Sequence, residues 1–174
     1  MKDYVEKVLG VDPDAEPFLF ETLDEAKLAS IIDTQKKVIA HQMHGILIVL
    51  DDLASEQKFH RNYGPISELY TRGRHFFIQS ICSSQKWKLL SPTDRVNAHW
   101  IVAFRLRNQQ DLDGLLQDFT AIHPYDVPVQ LYEEAVNDQP YSFLFINMKA
   151  PKEKMFSIRF EEILQAEVKE YEEE

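Results

Sequence analysis

HGILIVLDDLASEQKF, residues 44–59, is the stretch on which the reading of this chain turns. Five aliphatic residues, Ile46 to Leu50, run directly into two adjacent carboxylates, Asp51 and Asp52. A run this apolar reads as a strand with no wet side, of the kind found in parallel sheets covered on both faces. Two acids at the tip of such a strand have two readings. One is a polar turn, for which Asp is a common residue. The other is a site for magnesium and water in nucleotide hydrolysis.

The surrounding sequence alternates between helical and strand patterns. Upstream, Thr22 and Glu25 have the spacing of a capping box, and Leu28, Ile31, Ile32, Gln35, Val38 and Ile39 then share one helical face. Downstream, PISELYTRG (65–73) has a proline in its first turn and reads as a short helix before the apolar strand HFFIQSIC (75–82). Ser91 and Pro92 open another short helix, followed by a third strand, HWIVAFRL (99–106). Helices are expected over 110–119 and after Pro128, a fourth strand at YSFLFINM (141–148), and an exposed acidic helix over 157–174. Strands alternating with helices predict an α/β fold with a mostly parallel sheet. Residues 1–174 read as one domain, with a loosely packed segment over 1–17.

Bulk properties narrow the function. The chain has 174 residues, 44% hydrophobic and 28% charged, the balance of a globular protein. No apolar run is long enough to span a bilayer, and the acidic N-terminus has no signal core, so an intracellular, non-secreted, non-membrane protein is expected. Its single cysteine, Cys82, excludes an internal disulfide. A net charge of −10 argues against broad adhesion to nucleic acid or acidic membranes. It leaves room for local basic loops such as Lys86-Trp87-Lys88, which joins charge to an aromatic ring as a DNA-contacting loop does. His41 and His44 lie one helical turn apart, but no third ligand at suitable spacing accompanies them.

In a parallel sheet, ligands bind at the carboxyl ends of the strands. Asp51 and Asp52 occupy that end of the first strand, and Ser83, Ser84 and Gln85 that end of the second. With Arg72 and Arg74 of TRGRH, these are the residue types that hydrolysis of a nucleotide requires: a metal carboxylate, a water-orienting group, a polar phosphate sensor and a cation for developing charge.

ILIVLDDLAS, ELYTRGRH and SSQKWKLLSPTDRVNAHWIVAFRLRN together resemble the viral genome-packaging ATPases of the FtsK–HerA branch, the poxvirus-type DNA-packaging motors. The resemblance covers roughly residues 20–148. It implies a P-loop NTPase-like three-layer sandwich, ATP and Mg2+ as cofactors, a homo-oligomeric ring and double-stranded DNA as cargo, in the cytoplasm, a virus factory or the virion. By the same resemblance ILIVLDD is the Walker B strand, Asp51 the magnesium residue and Asp52 the catalytic acid. Gln85 is the sensor, and Arg74, with Arg72 second, the finger offered to a neighbouring subunit.

The phosphate-cradling G-x-x-x-x-G-K-[ST] motif is missing. None of the five glycines, Gly10, Gly45, Gly64, Gly73 and Gly114, precedes a Lys-Ser or Lys-Thr pair. The sandwich is therefore expected without its first, P-loop strand, and the 75–82 and 99–106 strands are expected either to close directly on each other or to leave open edges prone to aggregation. Two other readings stay open: a non-catalytic remnant or partner-binding subunit, and an unrelated metal-dependent hydrolase built on Asp51 and Asp52.

Overall fold

A computed structural model describes residues 12, 20, 22–41, 44–51 and 64–165. Asp52, all but one residue of 1–17, and the acidic tail from 166 onward lie outside the described residues. The protein is α/β, as expected, and divides into two compact units, Met1–Ser83 and Ser84–Glu174.

In the first unit the order is α1 (Glu25–Val38), β1 (Ile46–Leu50), α2 (Pro65–Arg72), a 3-10 turn (Gly73–Phe76) and β2 (Ile78–Cys82). Helix α1 starts two residues later than a Thr22 cap would place it. Asp24 is the N-cap, its carboxylate accepting from the Lys27 amide at 3.0 Å. Leu28, Ile32 and Gln35 form the buried stripe. Beside it, Lys36 bridges to Glu68 of α2 at 2.9 Å and to Asp33 at 3.1 Å, and these partners raise its pKa.

β1 and β2 pair in parallel from Ile46↔Ile78 to Leu50↔Cys82. The approach to β2 is tight. A Cβ on Gly73 would meet the Ile78 carbonyl oxygen at 2.9 Å, and Phe77 takes a left-handed φ of 54° to turn the chain into the strand. The Phe77 carbonyl then accepts from the Ile46 amide at 3.0 Å, aligning the starts of both strands. One expectation for β1 fails: Leu47 and Val49 are 55% and 59% exposed, so the strand is covered on one face and open on the other.

The second unit holds α3 (Pro92–Asn97), β3 (Trp100–Phe104), α4 (Gln109–Leu116), α5 (Asp126–Asn137), β4 (Phe143–Asn147), β5 (Phe156–Ile158) and β6 (Glu162–Ile163). Ser91 and Asn108 cap α3 and α4 through their side-chain oxygens. The four strands form one sheet in the order β3-β4-β5-β6, antiparallel throughout. Its inner face sends Ala103, Leu144, Ile146, Phe156 and Ile158 into a core completed by Leu115, Leu116, Phe119, Leu131 and Ala135 of the helical layer. Tyr132 of α5 fastens the end of β3, accepting from the Leu106 amide at 2.6 Å and donating to the Phe104 carbonyl at 3.1 Å. Burial pushes its phenol pKa up.

This sheet corrects three expectations. Parallel pairing is confined to β1 and β2, while the strand at 141–148 runs antiparallel to β3. The 99–106 strand does not pair with 75–82; it is the edge strand of a separate sheet, paired with β4. The 157–174 helix is absent over its described part, since residues 156–163 form the β5–β6 hairpin. Phe156 and Ile158 point into the core at a period of two, and Arg159, at a left-handed φ of 52°, reverses the chain.

The side chain of Gln35 ties three segments of the first unit together. Its amide donates to the His44 carbonyl at 2.5 Å, just before β1, and to the Phe76 carbonyl at 3.0 Å, just before β2. Gln35→Leu keeps the volume and the apolar face but strips both acceptors of their donor. It should lower stability by about 1–3 kcal/mol, read as a lower urea midpoint at unchanged slope. A variant as stable as the parent would refute the clamp.

Candidate functional site

The parallel pairing does not stop at the ends of the two strands. Ser83, the residue after β2, donates its amide to the Leu50 carbonyl at 2.9 Å, carrying the ladder one step further. That step sets Ser83 beside Asp51, and the serine hydroxyl donates to Asp51 Oδ1 at 2.5 Å. An exposed carboxylate at the carboxyl end of a parallel strand is thus oriented by a hydroxyl on its neighbour.

This pair suits one of the two groups that the family resemblance implies. Magnesium is commonly held by one or two carboxylates, with water and substrate phosphates completing its octahedron. Asp51, which is exposed, offers one such carboxylate. Among the described residues no cluster of three His, Cys, Asp or Glu could enclose a metal by itself. The nucleotide has no such counterpart, because no loop in the sequence supplies the backbone cradle and lysine that its phosphates require.

The two arginines lie away from this carboxylate. Arg72 ends α2 and Arg74 lies in the 3-10 turn before β2, both exposed. They therefore lie at the start of the strand pair, whereas Asp51 and Ser83 lie beyond its far end. Five residues of strand separate the two ends by roughly 16 Å. Gln85 is exposed and falls in the second unit. Asp52 lies outside the described residues.

Trp87 has a structural role that its place between two lysines did not reveal. Its indole N–H donates to Asp118 at 2.9 Å, and Arg95 reaches the same carboxylate oxygen at 2.8 Å while lying 5.7 Å from the indole centroid. The ring also packs against the core of the second unit. The stem of Lys88 lies over Gly114, where a Cβ would approach its Cε to 2.6 Å. Trp87 is therefore an anchored side chain, with Arg95 over its ring.

Sequence reasoning placed Ser83 at the strand tip but gave it no role. The signal was there, since equal strand lengths and parallel pairing put residues 51 and 83 in step. The outward aromatic face of the second unit also has a sequence signal, since Phe143 and Phe145 alternate as strand residues do. No protein-family model matches the chain, and no curated protein matches it significantly in sequence.

Proposed function

We propose that this chain carries the Walker B and sensor portion of a DNA-packaging motor ATPase, in which ATP hydrolysis drives movement of viral double-stranded DNA. The observation that carries the reading is Asp51, seated at the carboxyl end of a parallel strand and oriented by Ser83 from the adjacent strand. The sequence resemblance around ILIVLDD, TRGRH and SSQKW agrees with it. In this reading β1 and β2 are strands of a larger parallel sheet, a three-layer P-loop sandwich. The open apolar face of Leu47 and Val49 suits such a completion.

Each residue then has a role set by its position. Ser83 fixes the rotamer of Asp51, and Asp51 would hold hydrated magnesium. The metal, when bound, supplies charge neutralisation at the phosphates. Asp52 orients the attacking water, and Gln85 senses the terminal phosphate. Arg74, with Arg72 as the alternate, lies at the opposite end of the strands from Asp51. It serves an adjacent subunit in a homo-oligomeric ring, acting in the cytoplasm, a virus factory or the virion. Lys86 and Lys88 are the local DNA contacts.

The absence of a phosphate cradle in these 174 residues favours a second reading, a non-catalytic subunit or remnant that keeps its core to bind partners. Two experiments separate the readings. The 174-residue chain by itself should show no magnesium-dependent ATP turnover above background, in a coupled phosphate-release assay. Turnover that Asp51→Ala abolishes would overturn that expectation. Joined to a segment bearing G-x-x-x-x-G-K-[ST], the chain should turn over ATP, and Arg74→Ala should then cut the rate roughly a thousand-fold or more. Nucleotide binding should be nearly intact, and mixing with an Asp52→Ala protein should restore part of the rate. Full turnover by Arg74→Ala passes the role to Arg72. No turnover by the joined protein favours the partner-binding reading.

A further inference from the structure

The outward face of the four-stranded sheet in the second unit is aromatic. Opposite the core, β3 presents Trp100, Val102 and Phe104, and β4 presents Phe143, Phe145 and Asn147, in the pairs Trp100↔Asn147, Val102↔Phe145 and Phe104↔Phe143. The turn at Arg159 adds Phe160, whose ring lies 5.2 Å from Phe143 and 4.9 Å from Phe145, while Phe104 lies 5.1 Å from Phe143. Trp100, Phe104 and Phe160 are 45%, 53% and 70% exposed. The left-handed backbone at Arg159 is held by ion pairs from its guanidinium to Asp138 and Glu161, so Phe160 is set on the platform by a locked turn. Exposed apolar surface of this kind on a folded unit marks a binding site more often than chance placement does.

Charge selects among possible occupants. The chain is acidic, with 29 Asp and Glu against 19 Lys and Arg. The loop from β4 to β5, MKAPKEKM (148–155), is the opposite, with three lysines and one glutamate. Among the described residues Lys149, Lys152 and Lys154 form no ion pair. The loop lies at the Trp100 end of the platform, because the Met148 amide donates to the His99 carbonyl and the Asn147 amide to the Met155 carbonyl. Lysines without ion pairs at the Trp100 end and exposed rings along the platform provide for phosphates and planar apolar faces together. A duplex hides its base faces in the stack, whereas a single strand offers them for stacking. From Trp100 to Phe104 the platform runs roughly 13 Å, and four-stranded sheets with outward aromatics hold about two or three unstacked bases.

We propose that this face binds single-stranded nucleic acid, with Trp100, Phe104 and Phe160 stacking bases and Lys149, Lys152 and Lys154 meeting the phosphates. The site is independent of the Asp51 carboxylate and of the motor reading. The test uses the full chain and fluorescein-labelled oligothymidylate and oligouridylate, with a labelled duplex as comparison, followed by anisotropy from roughly 50 to 200 mM salt. Single strands should bind more tightly than duplex, with a log–log salt slope of about −2 for three phosphates. Phe160→Ala should weaken binding on the order of ten-fold, Phe160→Trp should restore it, and Lys152→Ala with Lys154→Ala should flatten the slope by about 1.4. Equal affinity for duplex, or no loss in Phe160→Ala, would overturn the proposal. So would absence of oligonucleotide binding with dimers in sedimentation that Phe160→Ala dissolves, which would make the face a protein interface. Phe160 and the lysines are exposed, and an unchanged melting temperature in each variant separates lost binding from lost folding.

Discussion

The register of β1 against β2 is the constraint on which the first unit depends. A shift of one residue would turn the core residues of the slipped strand, Leu50 of β1 or Ile78 of β2, out of the core and move Asp51 away from Ser83, since side chains alternate with a period of two. Several features hold that register. Gln35 fastens the chain just ahead of each strand, Gly73 allows the 3-10 turn to pass close to Ile78, and Phe77 turns the chain so that its carbonyl meets the Ile46 amide. The polar pair at the far end is a consequence of this alignment.

The two sheets solve the hydrogen-bonding problem differently. A parallel pair needs a crossover, and residues 51–77 provide one that includes α2. The second unit makes antiparallel contacts instead, and its short β4–β5 and β5–β6 connections satisfy neighbouring backbone groups at small cost in loop entropy. With one face packed against α4 and α5, the sheet carries its outward side chains as an aromatic surface.

In the proposed reading, Asp51 supplies only the cation-holding half of what nucleotide hydrolysis needs. A carboxylate oriented by a hydroxyl can organise a hydrated cation, but the backbone amides that hold a triphosphate belong to a loop of glycines and lysine that these residues do not contain. Arg72 and Arg74, at the other end of the strands, are too distant to meet a phosphate bound at the Asp51 of their own unit.

Local sequence determined where most elements lie. The helices at 65–72 and 92–97 follow from Pro65 and the Ser91–Pro92 start, α1 from its apolar spacing, and β1 to β4 from their aliphatic and aromatic runs. These signals act over a few residues, through caps, fixed proline φ angles and side-chain periodicity. Tertiary structure decided what depends on distant partners. Strand direction in the second unit follows from the path of the chain between β3 and β4, and the 156–163 segment became a hairpin because the free edge of β4 and the core beneath it could take Phe156 and Ile158. Ser83 gained its role by the same route, since a hydroxyl becomes the partner of a carboxylate 32 residues away only when two strands align.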